Sequence, residues 1–159
     1  MQAQAPFQRA TQLAGHSLLQ RRRDDFALIG LIDQYGAHGG LASPDEVISL
    51  MRPYWRQPIS ILARWILDRK LVSFYWCTQI LLPSFQFERP RMTPNRAVSD
   101  CLRELGEALD DEGLASWFVR PCLWLDQRMP VDLVLNDPDL VIDAASRTRK
   151  ALTNRSESH

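Results

Sequence analysis

Apolar residues recur at helical spacing through the first half of the chain, between short polar segments. The stretch FALIGLIDQY, residues 26–35, predicts a short buried helix that ends at Gly36. Ser43, Pro44 and the two acids after them predict the capped start of a second helix, because serine accepts hydrogen bonds from the free amides and acids suit the positive pole. A third helix is predicted in ISILARWILDRK, residues 59–70, with a buried face formed by Ile59, Leu62, Ala63 and Ile66.

A segment rich in aromatic and β-branched residues, LVSFYWCTQILLP at residues 71–83, follows the third helix. Its composition predicts a β-hairpin that turns at Cys77-Thr78. The alternation in Phe85-Gln86-Phe87 predicts a strand with both rings on one side. The aromatic cluster is either core or a stacking platform for single-stranded nucleic acid, and we expect core; its members are Phe74, Tyr75, Trp76, Phe85 and Phe87.

The second half of the chain is predicted to be helical. Thr93-Pro94 predicts a capped helix start, and an apolar stripe follows at Val98, Cys101, Leu102, Leu105 and Leu109. Prolines then divide the chain into short helices. The whole pattern predicts a mainly α fold with one β-hairpin. Its parts are a flexible arm (1–24), a winged-helix-like part (25–92), a small helical domain (93–152) and a tail (153–159).

Composition limits the classes of protein that the chain can belong to. With 159 residues and 45% hydrophobic residues, it can form one ordinary domain or two small ones that share a core. No apolar run is long enough for a membrane span or typical of a signal peptide, so we expect a cytoplasmic protein. The three cysteines, Cys77, Cys101 and Cys122, form no CxxC pair, which favours buried free thiols.

The formal net charge is zero, but the charges are unevenly distributed. Residues 1–96 carry 12 basic and 7 acidic side chains, a balance of +5, whereas residues 97–159 carry 7 and 12, a balance of −5. A basic half attracts phosphates and an acidic half repels them. The two halves are therefore expected to have different partners, although such a split also arises by chance.

Helix, turn, helix and hairpin is the order of elements in winged-helix, excisionase-like and MerR-like DNA-binding modules. The chain resembles them over about forty residues, at Arg64-Trp65-Ile66, Leu71 and Leu82-Pro83. The resemblance implies a DNA groove contact, phosphate contacts and a second groove contact at the hairpin tip. The groove contacts are Arg56, Ser60 and Arg64. The phosphate contacts are Arg69 and Lys70, with Arg21, Arg22 and Arg23 of the arm. The contacts at the hairpin tip are Thr78 and Gln79. Alternatively, these arginines are the solvated face of a small α+β core, and Arg21 to Arg23 a solvated boundary.

The C-terminal half resembles the toxin-binding domain of the MbcA, ParS and Xre-type antitoxins. The resemblance covers residues 95–152 and is carried by Ala115, Trp117-Phe118, Pro121, Leu125, Pro130, Asp132-Leu133 and Val141 to Ala145. Cys122 stands where the family usually has asparagine. Gln127 stands where it has glycine, so a positive φ would be costly there.

This second resemblance implies a non-enzymatic, dimeric antitoxin that binds a toxin, often a RES-domain enzyme that consumes NAD, and represses its own operon on double-stranded DNA. The residues expected at the toxin are Trp124, Met129, Asp143, Arg147, Arg149 and Lys150. Trp117 is expected in the core and Trp124 at the surface. No catalytic motif appears, and we expect no enzymatic activity, cofactor or metal. The alternatives are an orphan DNA-binding regulator without a toxin and a protein-interaction adaptor.

Overall fold

The computed structural model describes residue 23 and residues 25–158. Over this part the fold is mainly α-helical with a β-hairpin, as the sequence predicts. The first half contains α1 (25–36), β1 (Leu41–Ala42), α2 (Pro44–Met51), α3 (Pro58–Leu67), β2 (Phe74–Trp76) and β3 (Gln79–Pro83). The short β1 strand pairs with β3, so the antiparallel sheet has the order β1-β3-β2. One helix, one strand, two helices and a hairpin thus make up the first half of the chain.

A second, two-stranded sheet leads into the C-terminal helices. It consists of β4 (Phe87–Glu88) and β5 (Thr93–Pro94), and the helices are α4 (Arg96–Leu105), α5 (Asp111–Phe118), α6 (Pro130–Leu133) and α7 (Pro138–Ser156). The predicted cap at Thr93 is wrong, because this residue pairs with Glu88 in the sheet. The cap of α4 is instead Asn95, whose side chain accepts a hydrogen bond from the amide of Val98. The long α7 packs mainly against α4.

Local sequence accounts well for the start of α2 and for the hairpin. The amide of Glu46 donates to Ser43 Oγ at 3.3 Å, and the amide of Ser43 donates to Glu46 Oε2 at 2.7 Å, which completes a capping box. The hairpin turns at Cys77-Thr78, as predicted. Both residues have positive φ, 47° and 68°, which is the conformation that two-residue hairpin turns favour.

The buried face of α3 differs from the predicted one. Ile59 is 60% exposed and Ala63 is also exposed, whereas Leu62 is buried. Ile61 and Trp65 pack against the apolar cluster in place of the two exposed residues. Because α3 is apolar at most positions, two overlapping stripes satisfy helical spacing, and only packing against α2 and β3 selects one of them.

The first helix is buried along one side only. Leu31 and Tyr35 are buried, as expected for a buried helix, but Phe26 is 75% exposed, so burial is limited to one face. Tyr35 Oη donates to the carbonyl oxygen of Ala115 at 2.6 Å, and burial raises the pKa of Tyr35 well above its usual value. This hydrogen bond attaches α1 to α5.

Two apolar clusters form the core, and they do not divide at the predicted boundary between residues 92 and 93. The smaller cluster belongs to α2, α3 and their neighbours. The larger cluster contains most of the C-terminal helices and also Leu31, Tyr35, Val72 and Phe74. The winged-helix-like part and the C-terminal helices therefore share a core, and residue 92 lies within the turn between β4 and β5.

Gln86 lies inside the protein, contrary to the strand expected for Phe85-Gln86-Phe87. Residues Ser84–Gln86 form a 3-10 turn, and the side chain of Gln86 is fully buried. Its Oε1 accepts from the amide of Val72 at 2.6 Å, and its Nε2 donates to the carbonyl oxygen of Val72 at 2.8 Å. Phe85 packs on the larger cluster and Phe87 belongs to the smaller one. The side chain of Gln86 therefore provides the hydrogen-bond partners of two buried backbone groups, the amide and the carbonyl of Val72.

Candidate protein-interaction site

The loop between α5 and α6 is closed by backbone hydrogen bonds. The amide of Cys122 donates to the carbonyl oxygen of Arg128 at 3.0 Å, and the amide of Gln127 donates to that of Cys122 at 3.0 Å. Asp126 and Gln127 have φ of 54° and 64°. The loop therefore adopts the positive φ at Gln127 that was expected to be costly for a residue other than glycine.

This closed loop presents two apolar side chains to solvent. Leu123 is 69% exposed and Trp124 is 41% exposed. The next residue, Leu125, is buried in the larger apolar cluster. Trp117, in contrast, is buried, and its Nε1 donates to Thr148 Oγ1 at 3.3 Å. Both predictions for the tryptophans, Trp117 in the core and Trp124 at the surface, are confirmed.

Three of the residues predicted at the toxin interface lie together. The guanidinium carbon of Arg147 is 5.7 Å from the ring centroid of Trp124. Arg147 Nε donates to Asp143 Oδ2 at 2.8 Å, one turn earlier on α7. The guanidinium of Arg147 thus connects the exposed tryptophan ring to α7 and is itself paired with the carboxylate of Asp143.

An open groove of about 660 Å³ adjoins this cluster, between α5, the loop and the end of α7. Its apolar lining includes Trp117, Leu123, Trp124 and Leu152. Acidic side chains from the start of α5 and basic side chains from the other two elements also reach it; they are Asp110, Glu112, Arg120 and Arg155. The groove thus offers an apolar floor with both signs of charge, which suits a protein segment better than a uniformly charged ligand.

The other residues predicted at the toxin interface are placed less favourably. Met129 is half-buried and packs against the larger cluster. Arg149 faces Glu104 on α4, with 3.7 Å between Nη2 and Oε2, and Lys150 is exposed. Sequence reasoning did not single out Leu123 or Leu152. The signal for Leu123 lies in the run CLWL between two prolines, since one closed turn cannot bury all of its apolar residues.

Most of the residues predicted at DNA are exposed. Arg21 and Arg22 lie outside the described residues, and Arg23 is helical and exposed. Ser60 and Arg64 are exposed one turn apart on α3, and the remaining exposed members of the set are Arg56, Lys70, Thr78 and Gln79.

Arg69 contributes to the fold instead. It ends the turn after α3 with φ of 51°, a conformation that glycine adopts more readily than other residues. Its guanidinium donates to the carbonyl oxygens of Gly106 and Leu109, at 3.2 and 3.1 Å, and pairs with Asp111 at 3.2 Å. Because these acceptors lie around the start of α5, Arg69 links the two halves of the chain, and we exclude it from the candidate DNA surface.

The cysteines differ in accessibility. Cys77 is exposed at the hairpin turn, which contradicts the expectation of a buried thiol, whereas Cys101 and Cys122 are buried. Burial, with the nearby charges of Asp100 and Glu104, raises the pKa of Cys101 to about 12. The thiolate is the reactive form, so Cys101 is doubly protected.

In the native protein, an aromatic disulfide reagent should therefore modify one of the three thiols quickly. Release of the chromophore measures the number of reactive thiols, and Cys77→Ser should abolish the fast phase. Rapid modification of two thiols in the native wild-type protein would contradict this placement. Denaturant should expose the remaining two.

Among residue 23 and residues 25–158, no cluster of three or more histidine, cysteine or acidic side chains could hold a metal ion. In the same part of the chain, no helix combines the length and apolar character needed to cross a bilayer. Comparison of the chain with protein-family models, curated proteins and solved structures found no match.

Proposed function

We propose that the protein is an antitoxin-like regulator that binds and neutralises a partner toxin through the loop 119–129 and α7. The observation that carries the proposal is the exposed Trp124, stacked on Arg147 and adjoining an apolar groove. Aromatic and arginine side chains contribute most of the binding energy at protein interfaces, particularly when they are rigid before binding. None of these residues needs to perform chemistry in this role.

The arrangement of the antitoxin-like segment supports the proposal. Its pattern residues Trp117, Phe118, Leu125 and Val141 are buried and form the framework of α5, the loop and α7. Gln127 has positive φ at the position where the resembled family has glycine, which is a conformation that glycine would permit. By the same resemblance, we propose a homodimer in the bacterial cytoplasm, with a RES-domain type enzyme as one possible class of toxin.

Co-expression with the product of a neighbouring toxin-like reading frame tests this function. The toxin alone should arrest growth of a bacterial host, whereas co-expression of this chain should restore growth and yield a complex on size-exclusion chromatography. Continued arrest with both proteins soluble and separate would reject the proposal. It would leave the orphan regulator or the adaptor as the remaining alternatives.

Binding of double-stranded DNA by the winged-helix-like part is a second candidate function. It is favoured by the β2-β3 hairpin that follows α3 and by the exposed side chains of Arg56 and Arg64. No acidic group of the described residues forms an ion pair with either guanidinium. In an antitoxin-like regulator, this part would bind the operator of its own operon.

A further inference from the structure

Four arginines lie on two turns that the fold brings together. Arg52 and Arg56 belong to the turn between α2 and α3, and Arg89 and Arg91 belong to the turn between β4 and β5. All four side chains are exposed. We refer to Arg52, Arg56, Arg89 and Arg91 as the four-arginine surface, of which only Arg56 was expected from sequence to contact DNA.

Trp55 connects the two turns. Its Nε1 donates to the carbonyl oxygen of Arg91 at 2.7 Å, and the guanidinium carbon of Arg91 lies 5.2 Å from the centroid of its ring. Trp65 of α3 supports Trp55 edge-on, with 5.8 Å between the ring centroids. The backbone and the side chain of Arg91 therefore both contact Trp55, the residue that precedes Arg56, which reduces the side-chain entropy lost on binding.

The four-arginine surface differs electrostatically from the paired arginines of α4 and α7. On α4 and α7, Arg96, Arg103, Arg147 and Arg149 each face an acidic side chain within 4.0 Å. Within the described part of the chain, no such ion pair is formed by the four-arginine surface. The neighbouring Glu88 accepts a hydrogen bond from Asn95 Nδ2 at 2.9 Å. Unneutralised guanidinium groups on one surface attract phosphates.

The outward face of α3 is poorly suited to reading base sequence. Ser60 and Arg64 share that face with two exposed apolar side chains, Ile59 and Leu67, of which Leu67 is 81% exposed. Direct reading of bases relies mainly on hydrogen bonds to their edges, whereas phosphate contacts carry no sequence information directly.

We infer that the four-arginine surface binds the phosphate backbone of double-stranded DNA and supplies most of the affinity, with little contribution from base reading by α3. This inference rests on the proposed DNA-binding function. Duplex DNA is the occupant that the observations favour, because planar guanidinium groups bind phosphate with two parallel hydrogen bonds and two adjoining turns can contact successive phosphates.

Fluorescence anisotropy of the full-length protein with two labelled duplexes of equal length tests the inference. One duplex has the sequence upstream of the protein's own gene and the other a scrambled sequence. Wild-type affinity should be similar for both and should fall steeply between about 50 and 200 mM salt. Arg89→Ala and Arg91→Ala should each weaken binding to both duplexes and reduce the slope of log K against log salt by about one.

Arg103→Ala is the matched control, since it removes the same charge from an exposed side chain that is paired with Asp100 at 2.8 Å. It should leave both the affinity and the slope unchanged, and circular dichroism should show that all three variants remain folded. If the wild-type protein binds neither duplex, the proposed DNA-binding function itself fails. Binding of polyglutamate, an anionic polypeptide, in place of DNA would have the same meaning. If it binds DNA but both turn variants retain its slope, only the four-arginine surface is rejected.

Discussion

Replacement of Trp124 by alanine is expected to weaken toxin binding by about 2–4 kcal/mol, or roughly 30- to 1000-fold in Kd. The substitution removes an exposed aromatic anchor and releases the guanidinium of Arg147 from its ring. Because the side chain is 41% exposed and lies at the surface, the variant should still fold. Isothermal titration of the purified partner into each variant measures the change directly.

A matched control is available on the β-hairpin. Tyr75 is also an exposed aromatic residue, on β2 and 68% exposed, and Tyr75→Ala should leave the Kd unchanged. Arg147→Glu should repeat the effect of Trp124→Ala, since it places a second negative charge beside Asp143. Wild-type affinity in both Trp124→Ala and Arg147→Glu would show that the toxin binds elsewhere, even if the complex itself forms.

Replacement of Gln86 by alanine should reduce the free energy of unfolding by about 3–5 kcal/mol. The change leaves the amide and the carbonyl of Val72 without their side-chain partner inside the core, and each buried unsatisfied group carries a large desolvation cost. Urea denaturation followed by circular dichroism measures the loss. Gln79→Ala at the exposed start of β3 is the control and should change stability by less than about 0.5 kcal/mol.

A loss below about 1 kcal/mol in Gln86→Ala would mean that water replaces the side chain at both backbone groups. This interpretation requires that the variant keeps the native circular dichroism spectrum of its aromatic residues. The size of the loss in the free energy of unfolding therefore shows whether the two hydrogen bonds of Gln86 are required for stability.

The sequence predicts those features that depend on neighbouring residues. The capping box at Ser43, the hairpin turn at Cys77-Thr78 and the buried stripe of α4 each follow from spacing within a few residues. The distinction between Trp117 and Trp124 also follows, because one lies in a helical pattern and the other beside a proline-bounded loop. Asp143 and Arg147 on α7, in contrast, are expected at the toxin only through the resemblance to the antitoxin family.

Features that depend on distant contacts could not be predicted in this way. Gln86 is polar in an alternating segment, which indicates solvent, yet its partner Val72 lies 14 residues earlier. Trp55 and Arg91 are 36 residues apart, and nothing local relates their turns. Arg69 has the charge of a phosphate ligand, but its acceptors appear only when α5 packs nearby.

The apolar cluster shared by Tyr35, Phe74 and the C-terminal helices has a practical consequence for any attempt to dissect the protein. A cut at residue 92 would separate α1 and the hairpin from α5 and α7. Both fragments would then expose surfaces that the intact chain buries, and such surfaces promote aggregation. Loss of an activity in a fragment would thus report failed folding, so the roles of the two halves must be assigned by point substitutions in the intact chain.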